Sequence, residues 1–210
     1  MLLQDAQQQP KLKPVYLTIE PNLVEDYTSR KQRDTMTNIM TLTVKSDGVT
    51  WSIDNVTSGM DDMYEFLSNS VEGLIERVTI PFPKTVVEDE NIRIVMYVNE
   101  EGMIKDLPVN STATAIARTA FKWLDPRLNT QDFHGNAVFV AEYVDPKVTE
   151  DDKGFTTHLY ANLPQRVIDS ITSTIHFTEL LLSGDIQIES PESITQLWKD
   201  SSASKAWERN

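Results

Sequence analysis

The sequence predicts an α+β domain in which a mixed or antiparallel sheet packs with two or three helices. Short runs alternate apolar and polar residues, as in Met40-Thr41-Leu42-Thr43-Val44 and Ile92-Arg93-Ile94-Val95-Met96-Tyr97-Val98, which is the pattern of half-buried strands. Three stretches carry apolar residues at helical spacing instead. The two kinds of segment follow one another in mixed order, which suits α+β better than a wound parallel sheet.

Residues 1–14 are rich in glutamine and contain Pro10 and Pro14, so they read as a flexible N-terminal arm. The α+β domain is expected over residues 15–184, with residues 185–210 as a C-terminal extension. Pro14 to Glu20 alternates like a strand, and residues 21–35 are too polar to assign. Met40–Val44, the turn Ser46-Asp47-Gly48 and Val49–Ile53 read as a hairpin.

The spacing predicts a helix from Ser58 to Arg77, with Ser58 as N-cap and Asp61 and Asp62 in the first turn, where the helix dipole favours anions. Met63, Leu67, Val71, Leu74, Ile75 and Tyr64 would share its inner face, while Asp61, Glu65, Glu72 and Glu76 would form an acidic outer stripe. Gly73 inside that helix costs about 1 kcal/mol relative to alanine and marks a close packing contact. Val78–Ile80 follows, and Pro81-Phe82-Pro83 stops it.

Ile92–Val98 is the strongest strand pattern. Asn99-Glu100-Glu101-Gly102 then reads as a hairpin tip with Gly102 at positive φ. Met103-Ile104 would begin a return strand that Pro108 ends. Asn110 is placed to cap a helix from Ser111 to Trp123, with Ala113, Ile116, Ala117, Ala120 and Phe121 inward. Phe133–Asn136 is a turn, and Ala137–Ala141 has few polar positions, as a central strand does. An acidic loop (Asp145–Gly154) and a strand (Phe155–Ala161) follow. Leu163–Leu182 reads as a long helix with Pro164 in its first turn, Val167, Ile168, Ile171, Ile175 and Leu182 inward, and Gly184 just past its end. Beyond it lie a short strand, a Ser-Pro-Glu-Ser helix start at Ser190 and a short helix around Trp198.

Charge and absences bound the function. The 210 residues carry 32 acidic and 19 basic side chains, a net charge of −13. That opposes direct nucleic-acid binding, which needs a basic face, and favours attraction to basic partners. There is no cysteine, and hence no disulfide framework and no thiolate nucleophile. Absence of cysteine suits a cytoplasm. No run approaches the ~18 apolar residues of a membrane span, and the first residues lack the apolar core of a signal peptide. His134, His158 and His176 share no metal-ligand spacing. No nucleophile elbow, phosphate loop or dinucleotide fingerprint occurs. No catalytic residue, metal site or cofactor is therefore expected, and the chain reads as a non-enzymatic binding protein.

The runs LSNSVEGLIERVTI, IVMYVNEEGMIKDLPVNSTATAIA and FHGNAVFVAEY together resemble an uncharacterised domain family of bacteriophage and plasmid-borne proteins with NEEG and LPxN motifs. Val71, Gly73, Ile75, Glu76 and Val78 match its first part. Asn99, Glu100, Glu101, Gly102, Leu107, Pro108, Asn110, Ala113 and Thr114 match the second, and Gly135 and Asn136 the third. The likeness covers about residues 60–145. The chain departs from it at Glu72, where glycine is usual, and at Ser111, where arginine is common. The resemblance implies an accessory protein of a mobile element acting in the host cytoplasm. On that basis the expected function is binding that inhibits or modulates a host protein with a basic surface, as in anti-defence or nucleic-acid mimicry. The expected binding residues are Asn99, Glu100, Glu101, Gly102 and Asn110, with Asp61, Glu65, Glu72 and Glu76 as a second surface. Two other functions remain open: sequestering a small ligand such as a nucleotide, with the Asn110 helix start taking a phosphate, and a structural or virion-associated role.

Overall fold

A computed structural model describes residues 38–128, 130–144 and 159–184. The expected N-terminal arm, the Pro14–Glu20 strand, the acidic loop, the first part of the Phe155–Ala161 strand and the C-terminal extension lie outside the described residues. The described chain is α+β, with a six-stranded antiparallel sheet and three helices.

In chain order the elements are β1 (Asn38–Val44), β2 (Trp51–Thr57), α1 (Met60–Val71), β3 (Ile75–Ile80), β4 (Ile92–Asn99), α2 (Ser111–Leu124), β5 (Ala137–Tyr143), β6 (Leu159–Ala161) and α3 (Gln165–Leu182). The strands run in the order β2-β1-β5-β4-β3, and every pairing is antiparallel. β5 is central, as its unbroken apolar run predicts. One edge pairs with β4 along its length, from Ile92 opposite Tyr143 to Val98 opposite Ala137. Its other edge is shared: β1 takes Ala137–Phe139 and β6 takes Ala141–Tyr143.

Side chains alternate across a strand, so the sheet supplies two cores. Leu42, Val44, Ile94, Met96, Val98 and Phe139 face α2 and α3. Val95, Tyr97, Val138 and Val140 face α1, which contributes Met63, Leu67 and Val71. Burying each such aliphatic side chain stabilises the fold by roughly 1.5–3 kcal/mol. Ala113, Ala117 and Ala120 of α2 are fully buried, and their small size lets the helix backbone approach the sheet closely.

The β1–β2 hairpin forms as expected. Asp47 closes its turn by accepting from the backbone N–H of Val49 at 2.9 Å and of Thr50 at 2.7 Å. Burial raises the Asp47 pKa, but these bonds and the Thr50 hydroxyl outweigh it and hold the carboxyl below its usual value.

Four expectations about the helices are corrected. α1 stops at Val71, not Arg77, because Glu72 turns left-handed at φ 62° and its N–H, like that of Gly73, bonds back to the Ser68 carbonyl. Ile75 onward is β3, so Leu74 and Ile75 do not extend the inner face of α1, and Tyr64 is exposed. Gly59, not Ser58, occupies the N-cap, with no side-chain cap bond. In α3, Val167, Ile168, Ile171 and Ile175 are buried, but Leu182 is 63% exposed. Gly184 takes φ 77° just past the helix, as expected of that position.

Candidate functional site

The segment that follows β4 is not a hairpin. No return strand forms at Met103-Ile104; Glu100–Asp106 is a run of turns. The Lys105 N–H bonds to the Glu101 carbonyl at 2.8 Å, and the Leu107 N–H to the Gly102 carbonyl at 3.0 Å. A coil wound on itself in this way satisfies its own backbone groups, which an unpaired edge strand would leave open. Gly102 does not have positive φ; that conformation falls on Asp106, at 53°. Gly102 is needed for closeness instead: a Cβ there would lie 2.8 Å from the His134 carbonyl oxygen. Thus the loop rests on the turn before β5.

Asn99 anchors the loop. It is buried, and its Nδ2 donates to the carbonyls of Val71 at 3.1 Å and Glu72 at 3.0 Å. Its Oδ1 accepts from the Glu101 N–H at 2.9 Å. The end of α1 is thereby tied to the loop. Gly73 lies directly against this amide, since a Cβ on it would meet Asn99 Nδ2 at 2.6 Å. The close contact expected of Gly73 exists, but outside the helix.

Asn110 caps α2 as expected, its Oδ1 accepting from the Ala113 N–H at 3.0 Å. Its amide nitrogen does more, donating to the carbonyls of Val44, Lys45 and Gly135 at 3.0–3.2 Å. It is fully buried. The hairpin turn covers the helix start: the Thr112 hydroxyl donates to the Gly48 carbonyl, and a Cβ on Gly48 would lie 3.4 Å from the backbone nitrogens of Ser111 and Thr112. The Ala113 and Thr114 N–H groups are both taken by Asn110.

Glu100 and Glu101 sit together at the loop start. Glu100 is exposed, and Glu101 is half-buried and paired with Lys105 at 2.9 Å. The most exposed large apolar side chains of the described residues stand beside them: Ile104 at 80% and Met103 at 69%. Sequence reasoning placed these two in a strand and so overlooked them as surface groups.

The acidic stripe does not exist as one surface. Asp61 and Glu65 are exposed on α1. Glu72 lies beyond the helix and accepts from Asn136 Nδ2 at 3.2 Å. Glu76 is on β3, opposite Val98 of the α2–α3 face, so alternation places it on the sheet side away from α1.

The α1 side also holds a buried polar cluster that the sequence reading missed. Glu142 of β5 is buried and accepts from Arg77 Nε at 3.1 Å, Arg77 Nη2 at 2.5 Å and the Tyr97 hydroxyl at 2.7 Å. The Glu142 hydrogen bonds raise the Arg77 pKa. Burial, and then the bond to Glu142, push the Tyr97 phenol far above its ordinary value, and burial likewise raises Tyr160. The signal for this cluster was one acidic residue ending an apolar strand, AVFVAEY; its partners are distant in sequence.

A groove of about 880 Å³ runs between α2 and α3. Arg118, Lys122 and Trp123 line it from α2, and Phe177, Thr178 and Leu181 from α3. Arg118 is bound to Asp132 at 2.7 Å. Among the described residues no group of histidines and carboxylates is placed to hold a metal ion, and no helix is long and apolar enough to cross a membrane.

No family model, curated protein or solved structure matches the chain.

Proposed function

We propose that this chain is a non-enzymatic binding protein that docks on another protein through the Glu100–Asp106 loop. The observation that carries the reading is the pairing of a held backbone with exposed contact groups. Asn99 and Gly102 are buried and fix the loop, while Glu100, Met103, Ile104 and Asp106 are exposed. An apolar contact on a pre-ordered loop loses little conformational entropy on binding. Flanking carboxylates add complementarity to a basic partner, in keeping with a net charge of −13.

On the motif likeness, the chain is an accessory protein of a phage or plasmid, and its partner is a host protein with a basic surface in the host cytoplasm, inhibited or modulated by the contact. Anti-defence action and mimicry of nucleic acid by surface carboxylates both belong to this reading. Nucleotide sequestration at the α2 start is less favoured, because the Asn110 side chain is buried and its polar atoms are engaged within the fold.

The test is capture from host lysate with the full chain as bait and identification of the retained protein, repeated with Met103→Ser/Ile104→Ser and with Asp61→Asn/Glu65→Gln. A retained protein lost only with the loop variant supports the reading. Retention unaffected by the loop variant contradicts it.

A further inference from the structure

The α2–α3 groove holds about 880 Å³. Small-molecule sites measure roughly 300–1,000 Å³ and commonly lie between packed helices, with apolar walls and a few polar groups. Val109, Ala115, Trp123, Phe177, Leu181 and Leu182 supply the apolar walls here. Leu182 is 63% exposed, Trp123 53% and Val109 42%. Apolar surface gathered in one concavity marks a binding site, where single scattered residues do not. The hydroxyls of Thr114, Thr174 and Thr178, which also line the groove, are engaged with backbone groups. The charged side chains are therefore the strongest polar handles left. Arg118 and Lys122 stand four residues apart on α2 and both line the groove, and like charges at that spacing repel. Asp132 accepts from Arg118 Nη2 alone, at 2.7 Å. Arg118 Nε is buried and has no hydrogen-bond partner among the described residues, so Asp132 uses only part of a guanidinium with five donors. Lys122 is exposed and makes no ion pair among the described residues. Two cations against the one carboxylate of Asp132 leave one positive charge uncompensated in the lining, within a chain of net charge −13.

We propose that this groove binds a free amphiphilic carboxylate, a fatty acid or a compound of like chemistry. Its carboxylate sits at Arg118 and Lys122, and its apolar body lies along Trp123, Phe177 and Leu181. One uncompensated positive charge calls for one anionic group, and a carboxylate has lone pairs enough to accept from both side chains in charge-assisted hydrogen bonds. A neutral lipid would cover the apolar walls and leave Lys122 unanswered. From Ser111 to Trp123 the α2 lining runs about 18 Å at 1.5 Å per residue, which is room for an extended chain. The groove shares no residue with the Glu100–Asp106 loop, so this site stands apart from the docking surface.

The test is calorimetric titration of the full-length chain with dodecanoate, below its micelle concentration, with dodecanol as the neutral control. Dodecanoate is expected to saturate one site per chain, and dodecanol to bind at least about tenfold more weakly. Lys122→Glu is expected to weaken dodecanoate at least about tenfold, and Lys122→Arg to retain it. Ala115→Trp fills the groove without changing its charge and is expected to abolish binding. Melting curves show which variants are folded. Lys122 is exposed, so its variants decide the matter even if Ala115→Trp does not fold. Absence of saturable binding in the wild type overturns the proposal. So does equal affinity for dodecanol, or dodecanoate binding that survives Lys122→Glu undiminished.

Discussion

The Cα of Gly102 lies so close to His134 that a Cβ would stand 2.8 Å from its carbonyl oxygen. The loop after β4 and the turn before β5 are in backbone contact, with no room for a side chain between them. Gly102→Ala is therefore expected to lower stability by about 1–3 kcal/mol through overpacking, and Gly102→Val by more. Denaturant titration checks this; an unchanged midpoint for both variants would show that the loop does not rest on residues 133–135.

Asn110 offers a sharper test of the same rim. At an ordinary helix start aspartate replaces asparagine with little loss. Here the side-chain nitrogen serves three carbonyls, and a carboxylate would set oxygen against all three. Asn110→Asp is expected to be at least as damaging as Asn110→Ala, each costing roughly 1–3 kcal/mol. Recovery of wild-type stability by Asn110→Asp would mean that capping alone matters.

The Glu142 cluster predicts a cost for breaking its ion pair. Arg77→Met leaves a buried carboxylate with its guanidinium partner gone, a change worth about 3 kcal/mol. Arg77→Met combined with Glu142→Met is expected to recover part of that loss, since an apolar pair carries no desolvation cost. Equal melting points for Arg77→Met and the wild type would remove the cluster as a stabilising element.

Alkaline pH probes the same site. An unfolded tyrosine ionises near pH 10. In the fold, burial and then the bond to Glu142 raise the Tyr97 pKa, so the neutral phenol is the form the native state favours. This contribution is intact below about pH 10 and shrinks as pH rises beyond it, because only the unfolded chain then releases the proton. Tyr97→Phe is expected to flatten the decline of stability between about pH 9.5 and 11. An identical pH profile for both proteins would contradict the assignment.

Most of the sheet was legible because its strands obey a period of two, and β5 declared its central place by lacking polar positions. The end of α1 was not legible. Leu74 and Ile75 continue the helical spacing from Val71, and only the left-handed turn at Glu72 breaks it; a glutamate gives no local sign of that conformation. The site was half legible. Asn99, Gly102 and Asn110 stood out by residue type, but their burial did not, because a turn-former and a buried carbonyl collector look alike in sequence. Met103 and Ile104 were hidden by their own β propensity. Glu142 needed Arg77 and Tyr97 beside it, and only the folded register brings them there.

The most direct measurement of the proposed docking surface is the affinity of the protein captured from lysate, purified, for four full-length chains: wild type, Met103→Ser/Ile104→Ser, Glu100→Gln/Glu101→Gln, and Asp61→Asn/Glu65→Gln. Circular dichroism and melting would confirm that all four are folded. If the Glu100–Asp106 loop is the contact, the apolar variant binds at least about tenfold more weakly, a loss of roughly 1.4 kcal/mol. The glutamate variant then loses affinity chiefly at low salt, where exposed charges act furthest, and the α1 variant binds like the wild type. Undiminished binding by the Met103→Ser/Ile104→Ser chain, with loss confined to Asp61→Asn/Glu65→Gln, would contradict the loop as the docking surface and move it to α1.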